Sequence, residues 1–146
     1  MSAAEPALGA AVLKTFSDMA FIDVAPSPVC EETISYSHIL SIALRQPVVG
    51  GLALYLPSEC KRMIVENIYG EEWEQLSGVQ IDDCLLELLN VLAGNFLNEY
   101  CGAGLQHNIS LPELIFDETE LQRPEEVNEY LYDAEGVCFK VVLGIP

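Results

Sequence analysis

Four residues with polar or minimal side chains line up in the segment DCLLELLNVLAG, which runs from Asp83 to Gly94. Asp83, Glu87, Asn90 and Gly94 are separated by four, three and four positions, so on an α-helix they form one nearly straight stripe. A carboxylate can hold a cationic group through a charge-assisted hydrogen bond. A carboxamide can accept and donate hydrogen bonds at the same time. The stripe therefore has the residue types of a contact site.

Two of these four residues are unfavourable in the middle of a helix. The side chain of Asn90 competes for backbone hydrogen bonds, and a glycine such as Gly94 costs about 1 kcal/mol relative to alanine. A stripe that only solvates a helix would favour Glu, Lys, Gln or Arg. The alternative of a merely solvated face stays open, because amphipathic helices are common and Asn95 and Asn98 make this helix end rich in asparagine.

The elements that must position the stripe follow from the spacing of apolar residues. Helical or alternating spacing predicts helices over 7–21, 57–69 and 81–100, and strands over 33–44, 48–56, 127–132 and 137–145. Segment 107–116 contains Pro112 and is predicted as a strand or an extended edge segment, and the acidic segment 117–126 as a loop. Residues 1–6 are expected to form a flexible leader before a single domain over 7–146. The fold class is therefore α/β of the α+β type, with a largely antiparallel sheet covered by two long helices.

The two halves of the chain resemble each other. Each half gives a helix followed by strands, and each finishes with an aliphatic strand and a proline, GGLALYLP and VCFKVVLGIP. When the first helix is laid over the long one, Lys14 coincides with Glu87 and Ser17 with Asn90. The pattern indicates pseudo-duplicated α-β-β units, with the polar pair present in one copy only.

Composition argues against several classes of function. Six basic residues face 23 acidic ones, a formal net charge of -17, so nucleic acid and anionic membrane surfaces would repel the chain. No signal peptide is evident, and no window approaches about 18 uninterrupted apolar residues. The five cysteines are odd in number and lack C-x-x-C spacing, which favours free thiols in the cytoplasm, with Cys138 as a small hydrophobe. His38 and His107 lack the spacing of metal ligands.

The motif D-x-x-x-E-x-x-N-x-x-x-G on a long helix resembles the signature of the CheC/CheX/FliY chemotaxis phosphatases. The resemblance extends to the opening helix that ends in FSDMAFIDVAPS, to the paired strands after it and to the acidic charge balance, so it covers residues 7–146. One polar pair per chain places the sequence nearest to CheX-like domains. The resemblance implies a CheC/CheX-like fold and hydrolysis, in trans, of the aspartyl phosphate on a CheY-like response regulator in chemotaxis or two-component signalling.

The resemblance also implies a role for each residue of the stripe. Glu87 would bind the active-site lysine of the response regulator, and Asn90 would position the attacking water. Asp83 and Gly94 would contact the partner without doing chemistry, although Gly94 can equally be read as packing space against the sheet. A homodimer is expected, as is Mg²⁺ on the response regulator, with no cofactor or metal bound by this chain.

Two other functions stay open. The first is a CheX-like interaction module that binds a response regulator or itself without useful turnover, which the unmatched first helix and the surplus asparagines favour. The second is a small-molecule sensor with a pocket between helices and sheet, for which the sequence gives no positive sign.

Overall fold

A computed structural model describes residues 3–27, 35–116 and 127–145 of the chain. The helices formed by these residues are α1 (Ala4–Ala20), α2 (Ser58–Tyr69) and α3 (Gly78–Cys101), with a 3₁₀ turn at Trp73–Gln75. The strands are β1 (Val24–Pro26), β2 (His38–Gln46), β3 (Gly50–Leu56), β4 (Asn108–Ile109), β5 (Glu113–Ile115), β6 (Asn128–Ala134) and β7 (Val137–Gly144). The predicted combination of two long helices with paired strands is confirmed.

The described strands form one seven-stranded sheet in the order β1-β6-β7-β3-β2-β4, with β5 also paired to β2. Each pairing is antiparallel. The long strands β3 and β7 lie at the centre, where Leu54 is opposite Val141, and the short strands lie at the edges. The sheet therefore has the predicted antiparallel character.

The strand order reads the same from either edge when the two halves of the chain are exchanged. β1 of the first half pairs with β6 of the second, and β5 of the second half pairs with β2 of the first. The final strands of the halves, β3 and β7, pair with each other, so a pseudo-two-fold axis passes between them, perpendicular to the sheet. The predicted duplication is confirmed, and the halves are longer than the predicted α-β-β unit because short edge strands are added, β1 in the first half and β4 and β5 in the second.

The core lies between one face of this sheet and the two long helices. Alternate strand residues such as Leu40, Ile42 and Val141 share one buried cluster with α1 and α3, and Phe16 of α1 stacks on Phe139 of β7 with ring centroids 4.8 Å apart. Each such fully buried side chain contributes roughly 1.5–3 kcal/mol. Because both helices pack on the same face and the axis is perpendicular to that face, α1 and α3 run antiparallel.

Several predicted boundaries differ from the structure. α1 begins at Ala4, so residues 4–6 belong to the helix rather than to a leader. β1 (Val24–Pro26) was not predicted; it pairs with β6 at the edge of the sheet, where a strand tolerates proline. β2 begins at His38 rather than at residue 33. Residues 1–2, 33–34 and the predicted acidic loop over 117–126 lie outside the described residues.

The four cysteines among the described residues are in two chemical states. Cys60 and Cys84 are free and buried, and Cys101 is free and half-buried. Cys138 is disulfide-bonded, so the prediction of a free thiol in that strand is wrong. No described helix combines the length and the apolar character needed to cross a membrane.

Candidate functional site

A capping box fixes the start of α3, the helix that carries the stripe. The hydroxyl of Ser77 accepts a hydrogen bond from the Gln80 N–H at 3.1 Å, and the Gln80 side-chain oxygen accepts one from the Ser77 N–H at 2.9 Å. This reciprocal pair satisfies donors that have no partner inside the helix. α3 therefore begins at Gly78, three residues before the predicted start, and the S-x-x-Q spacing was the sequence signal that would have placed it.

The four predicted site residues lie along one side of α3. Asp83 and Glu87 are exposed, while Asn90 and Gly94 are half-buried. The leucines interleaved with them, Leu85, Leu88, Leu89 and Leu92, are completely buried. The stripe is thus the solvent-facing side of a helix whose opposite side belongs to the core, and its backbone is held rigidly by that packing.

Glu87 and Asn90 have no hydrogen-bond or ion-pair partner among residues 3–27, 35–116 and 127–145. Three cations elsewhere in those ranges, Lys14, Arg62 and Lys140, pair with other carboxylates. Their ion pairs are Lys14–Asp18 at 3.2 Å, Arg62–Glu66 at 3.2 Å, Arg62–Glu74 at 3.5 Å and Lys140–Glu129 at 3.3 Å. The Glu87 carboxylate is therefore available to a cationic group from another molecule.

Gly94 faces open space. No heavy atom of the described residues, outside the helix's own neighbouring backbone, lies within 4 Å of the point where its Cβ would stand. The helix therefore does not need a glycine here to pack against the sheet, which removes the packing interpretation of Gly94. A bare backbone one turn beyond Asn90 allows another surface to approach the helix closely.

The equivalent stripe on α1 has different chemistry. Lys14 and Ser17 are both exposed, and the Lys14 ammonium pairs with Asp18 one turn further along the helix. A cation and a short hydroxyl thus occupy the positions that correspond to Glu87 and Asn90. The acid–amide pair is present on one long helix only, as the sequence predicts.

A polar cluster beside the start of the stripe was not predicted. His38 Nε2 lies 3.3 Å from an oxygen of Asp82, and Lys61 Nζ lies 3.1 Å from His38 Nδ1. Since an ammonium can only donate, Nε2 is assigned the imidazole proton that is donated to Asp82. The Lys61 ammonium also lies 5.6 Å from the centre of the Trp73 ring, and burial lowers the pKa of Lys61 while the charge of Asp82 opposes that shift.

This cluster joins β2, α2 and α3 and so helps to fix the first turns of the stripe's helix. Its members are 23 and 44 positions apart along the chain, and no local pattern in the sequence connects them. Across the part of the chain that the structure describes, no group of three or more His, Cys, Asp or Glu side chains is arranged to hold a metal ion.

Comparison with known proteins places this architecture among chemotaxis proteins. Residues 39–135, which include the whole stripe, match the family model described as chemotaxis phosphatase CheX. No curated protein sequence matches the chain.

Solved structures share the fold at low sequence identity. Chemotaxis protein CheX from Vibrio vulnificus is 12% identical with a TM-score of 0.78, and the match covers 99% of this chain and 100% of that one. CheX from Desulfovibrio desulfuricans is 14% identical with a TM-score of 0.77, covering 98% and 99%. A chain of the CheX–CheY–BeF₃–Mg²⁺ complex from Borrelia burgdorferi is 18% identical with a TM-score of 0.67, covering 97% and 96%. These likenesses establish the fold.

Proposed function

Since this chain belongs to the CheX family of chemotaxis phosphatases, we propose that it hydrolyses the aspartyl phosphate of a CheY-like response regulator in trans. The observation that carries the proposal is the pair formed by Glu87 and Asn90. Both side chains lie on the exposed stripe of a rigid helix, one turn apart, and neither has a partner among the described residues. Such a pair is ready to engage groups that another molecule brings.

Asn90 would position the attacking water. An aspartyl phosphate is already activated, so what remains is to place a water in line with the departing carboxylate. The amide oxygen of Asn90 can accept a hydrogen bond from that water, and its NH₂ group can donate to a phosphoryl oxygen. Water then forms the new bond to phosphorus as the bond to the aspartyl oxygen breaks, releasing phosphate and the carboxylate. The amide adds no negative charge beside this anionic transition state.

Glu87 would hold the partner in register. The carboxylate lies about one turn from Asn90 and can form a charge-assisted hydrogen bond to the active-site lysine of the regulator. The net charge of -17 supports attraction of a cationic group to this surface. In the proposal Mg²⁺ is bound by the response regulator rather than by this chain, and Asp83 and Gly94 contact the partner at either end of the pair. The Borrelia assembly of CheX with CheY, BeF₃ and Mg²⁺ supports a CheY-like partner.

A second candidate is a CheX-like module that binds a response regulator or another copy of itself without turnover. The α1 stripe favours it, because Lys14 and Ser17 show that this fold can hold an exposed stripe without the acid–amide pair. The homodimer expected from the family is likewise a proposal, and light scattering on the purified protein tests it.

The deciding experiment measures phosphate loss from the phosphorylated response regulators of the same genome, with and without the protein. We expect the wild type to accelerate loss from one of them, and Asn90→Ala to lower that acceleration about 100-fold, the scale of losing one positioning group. Asn98→Ala is the matched control, because Asn98 is an exposed asparagine on the same helix. Binding to the regulator should survive in both variants.

Two results would contradict the proposal. If the wild type forms a complex with a regulator but does not speed its dephosphorylation, the chain is the binding module. If Asn90→Ala keeps full activity, the mechanism assigned to that residue is wrong.

A further inference from the structure

Phe21, the residue that ends α1, combines two unfavourable features. Its backbone is left-handed, with φ 56° and ψ 38°, and the residue is 75% exposed. Glycine would suit this position on both counts, because it has no Cβ to clash in the left-handed region and no apolar ring to expose. The conformation and the exposed ring together indicate a role outside the folding of the chain itself.

The residues directly before and after Phe21 are held in place by hydrogen bonds and burial. The carbonyl of Ala20 accepts a hydrogen bond from the side-chain amide of Asn67 on α2 at 2.8 Å. The N–H of Ile22 donates to the carbonyl of Phe16 at 3.2 Å, and the side chain of Ile22 is completely buried. The residues on both sides of Phe21 are thus held by α2 and by the core.

The next residue of the chain is held as well. The N–H of Asp23 donates to the carboxylate of Glu135, in the β6–β7 turn, at 3.1 Å. Among the described residues Glu135 is the other non-glycine residue with a positive φ, at 50°. Its side chain stabilises the fold by accepting the hydrogen bond from Asp23. Among the described residues, Phe21 has no aromatic or cation–π partner. Its ring is presented to solvent from a rigid segment.

Counting along the two helices places Phe21 beside the middle of α3, at the level of the stripe. The amide of Asn95 reaches Thr15 of α1 at 2.9 Å, and the two helices are antiparallel. Six residues from Thr15 to Phe21 advance about 9 Å along α1, and the same distance back from Asn95 along α3 reaches the turn that contains Asn90. The stripe faces away from the sheet, and the exposed Phe21 ring lies at the same level along the helices, so a single docked partner can reach both.

Contacts through α2 agree with this placement. Asn67 binds the end of α1, and Tyr69, two residues later, donates from its hydroxyl to the carbonyl of Gln80 in the first turn of α3 at 3.2 Å. The C-terminal end of α1 and the N-terminal end of α3 are therefore held together by the last turn of one helix.

We propose that Phe21 anchors the response regulator that docks on the stripe, by placing its ring against an apolar surface next to the regulator's phosphorylation site. This inference rests on the proposed function, because it takes its partner from there. The stripe offers polar groups and little apolar area, whereas binding energy in interfaces is concentrated in aromatic residues that are already held in position. Phe21 touches no reacting atom, so it should act on affinity and KM rather than on kcat.

The test compares wild type with Phe21→Gly, which suits the left-handed backbone and should therefore fold with an unchanged or higher melting temperature. We measure the affinity for each response regulator locked in its active form with BeF₃⁻ and Mg²⁺, and KM and kcat for the phosphorylated form. We expect Phe21→Gly to lower the affinity and raise KM by about tenfold or more, while kcat stays within about twofold. Phe21→Tyr, which keeps the ring, should restore the affinity.

Val49→Ser is the matched control. Val49 is 68% exposed but lies between β2 and β3, at the opposite end of β2 from His38, which contacts α3. Val49→Ser should leave the affinity for the regulator and KM unchanged. An equal loss of affinity in Val49→Ser and Phe21→Gly would overturn the inference.

The remaining outcomes separate this inference from the proposed function. If the wild type binds a regulator and Phe21→Gly binds it equally well, Phe21 is not an anchor and the phosphatase proposal is untouched. If the wild type binds without hydrolysis and Phe21→Gly weakens binding, the anchor stands and the phosphatase proposal falls. If the wild type binds no regulator of its genome, both are wrong.

Discussion

The side-chain amide of Asn95 donates a hydrogen bond to the hydroxyl of Thr15 at 2.9 Å and so joins the two long helices. Thr15 is completely buried, and its hydroxyl donates a hydrogen bond to the carbonyl of Ala11 at 2.7 Å. Asn95 therefore serves helix packing. Asn98 lies roughly 80° around the helix from Asn90, at about 100° per residue. Of these three asparagines, Asn90 alone combines a position on the stripe with a free side chain among the described residues.

Asn95 and Asn90 should consequently respond to truncation in opposite ways. Asn95→Ala should lower the free energy of unfolding by about 1–2 kcal/mol, because it removes a half-buried hydrogen bond to a buried hydroxyl. Asn90→Ala should change that free energy by less than about 0.5 kcal/mol, because its half-buried side chain has no partner among the described residues. Urea unfolding measures both values. Phosphatase activity at a temperature where each variant is folded should be lost in Asn90→Ala and kept in Asn95→Ala.

A double-mutant cycle isolates the contact itself. Thr15→Val removes the hydroxyl at nearly constant shape, and we expect the two losses to be coupled by about 1 kcal/mol. Strict additivity of Asn95→Ala and Thr15→Val would show that the hydrogen bond adds nothing to stability.

Gly94→Ala should affect stability and partner binding in opposite directions. An added methyl group meets no described atom within 4 Å, so the variant should gain up to about 1 kcal/mol of stability from the higher helix propensity of alanine. The same methyl group would stand in the path of the regulator, so KM should rise. Thermal unfolding and steady-state kinetics test the two effects. A more stable variant with unchanged KM would place Gly94 outside the interface, and a less stable one would contradict the open space around it.

The longest elements could be predicted because their patterns are local. The apolar period of α3 and the alternation in β2, β3, β6 and β7 are visible within each segment. β1 could not be found in this way, because three residues are too few to show a period and its partner is far along the chain, with Val24 opposite Ala134. A proline such as Pro26 also counts against a strand assignment. The strand forms because β6 offers an unpaired edge, which is a property of the assembled sheet.

The candidate site shows the same division. The stripe follows from residue spacing within one helix, so its four positions could be named from the sequence. The sequence could not show which asparagine side chain already has a hydrogen-bond partner, because the bond from Asn95 reaches a residue 80 positions away. The left-handed backbone of Phe21 was equally hidden, since phenylalanine gives no signal for a positive φ. That conformation depends on the contacts that fix its neighbours.

The residues at the equivalent positions on α1, Lys14 and Ser17, should not contribute to catalysis. Lys14 and its partner Asp18 have side chains that are 57% and 63% exposed, and an exposed ion pair of this kind contributes about 0–1 kcal/mol. The double variant Lys14→Ala, Ser17→Ala should keep kcat/KM within about twofold of wild type, because one acid–amide pair serves each chain. The dephosphorylation assay tests this directly. A loss as large as that of Asn90→Ala would mean that α1 carries part of the catalytic machinery.

Two buried thiols should make the fold lose stability in alkaline solution. Burial raises the pKa of Cys60 to about 12 and that of Cys84 to about 11, from 9.0. Above pH 9 the unfolded chain releases these protons while the folded chain keeps them. The stability that the protonated thiols contribute is therefore complete below pH 9 and is lost as the pH rises toward 11–12.

Urea unfolding at a series of pH values from neutral to alkaline measures this loss, whose slope is at most about 1.4 kcal/mol per pH unit for each thiol. Cys60→Ala should be less stable than wild type at neutral pH, because it leaves a small cavity in the core. Its stability should nevertheless fall less steeply at alkaline pH, since one of the two titrating thiols is gone. Parallel curves for Cys60→Ala and wild type would show that the Cys60 thiol does not govern alkaline unfolding.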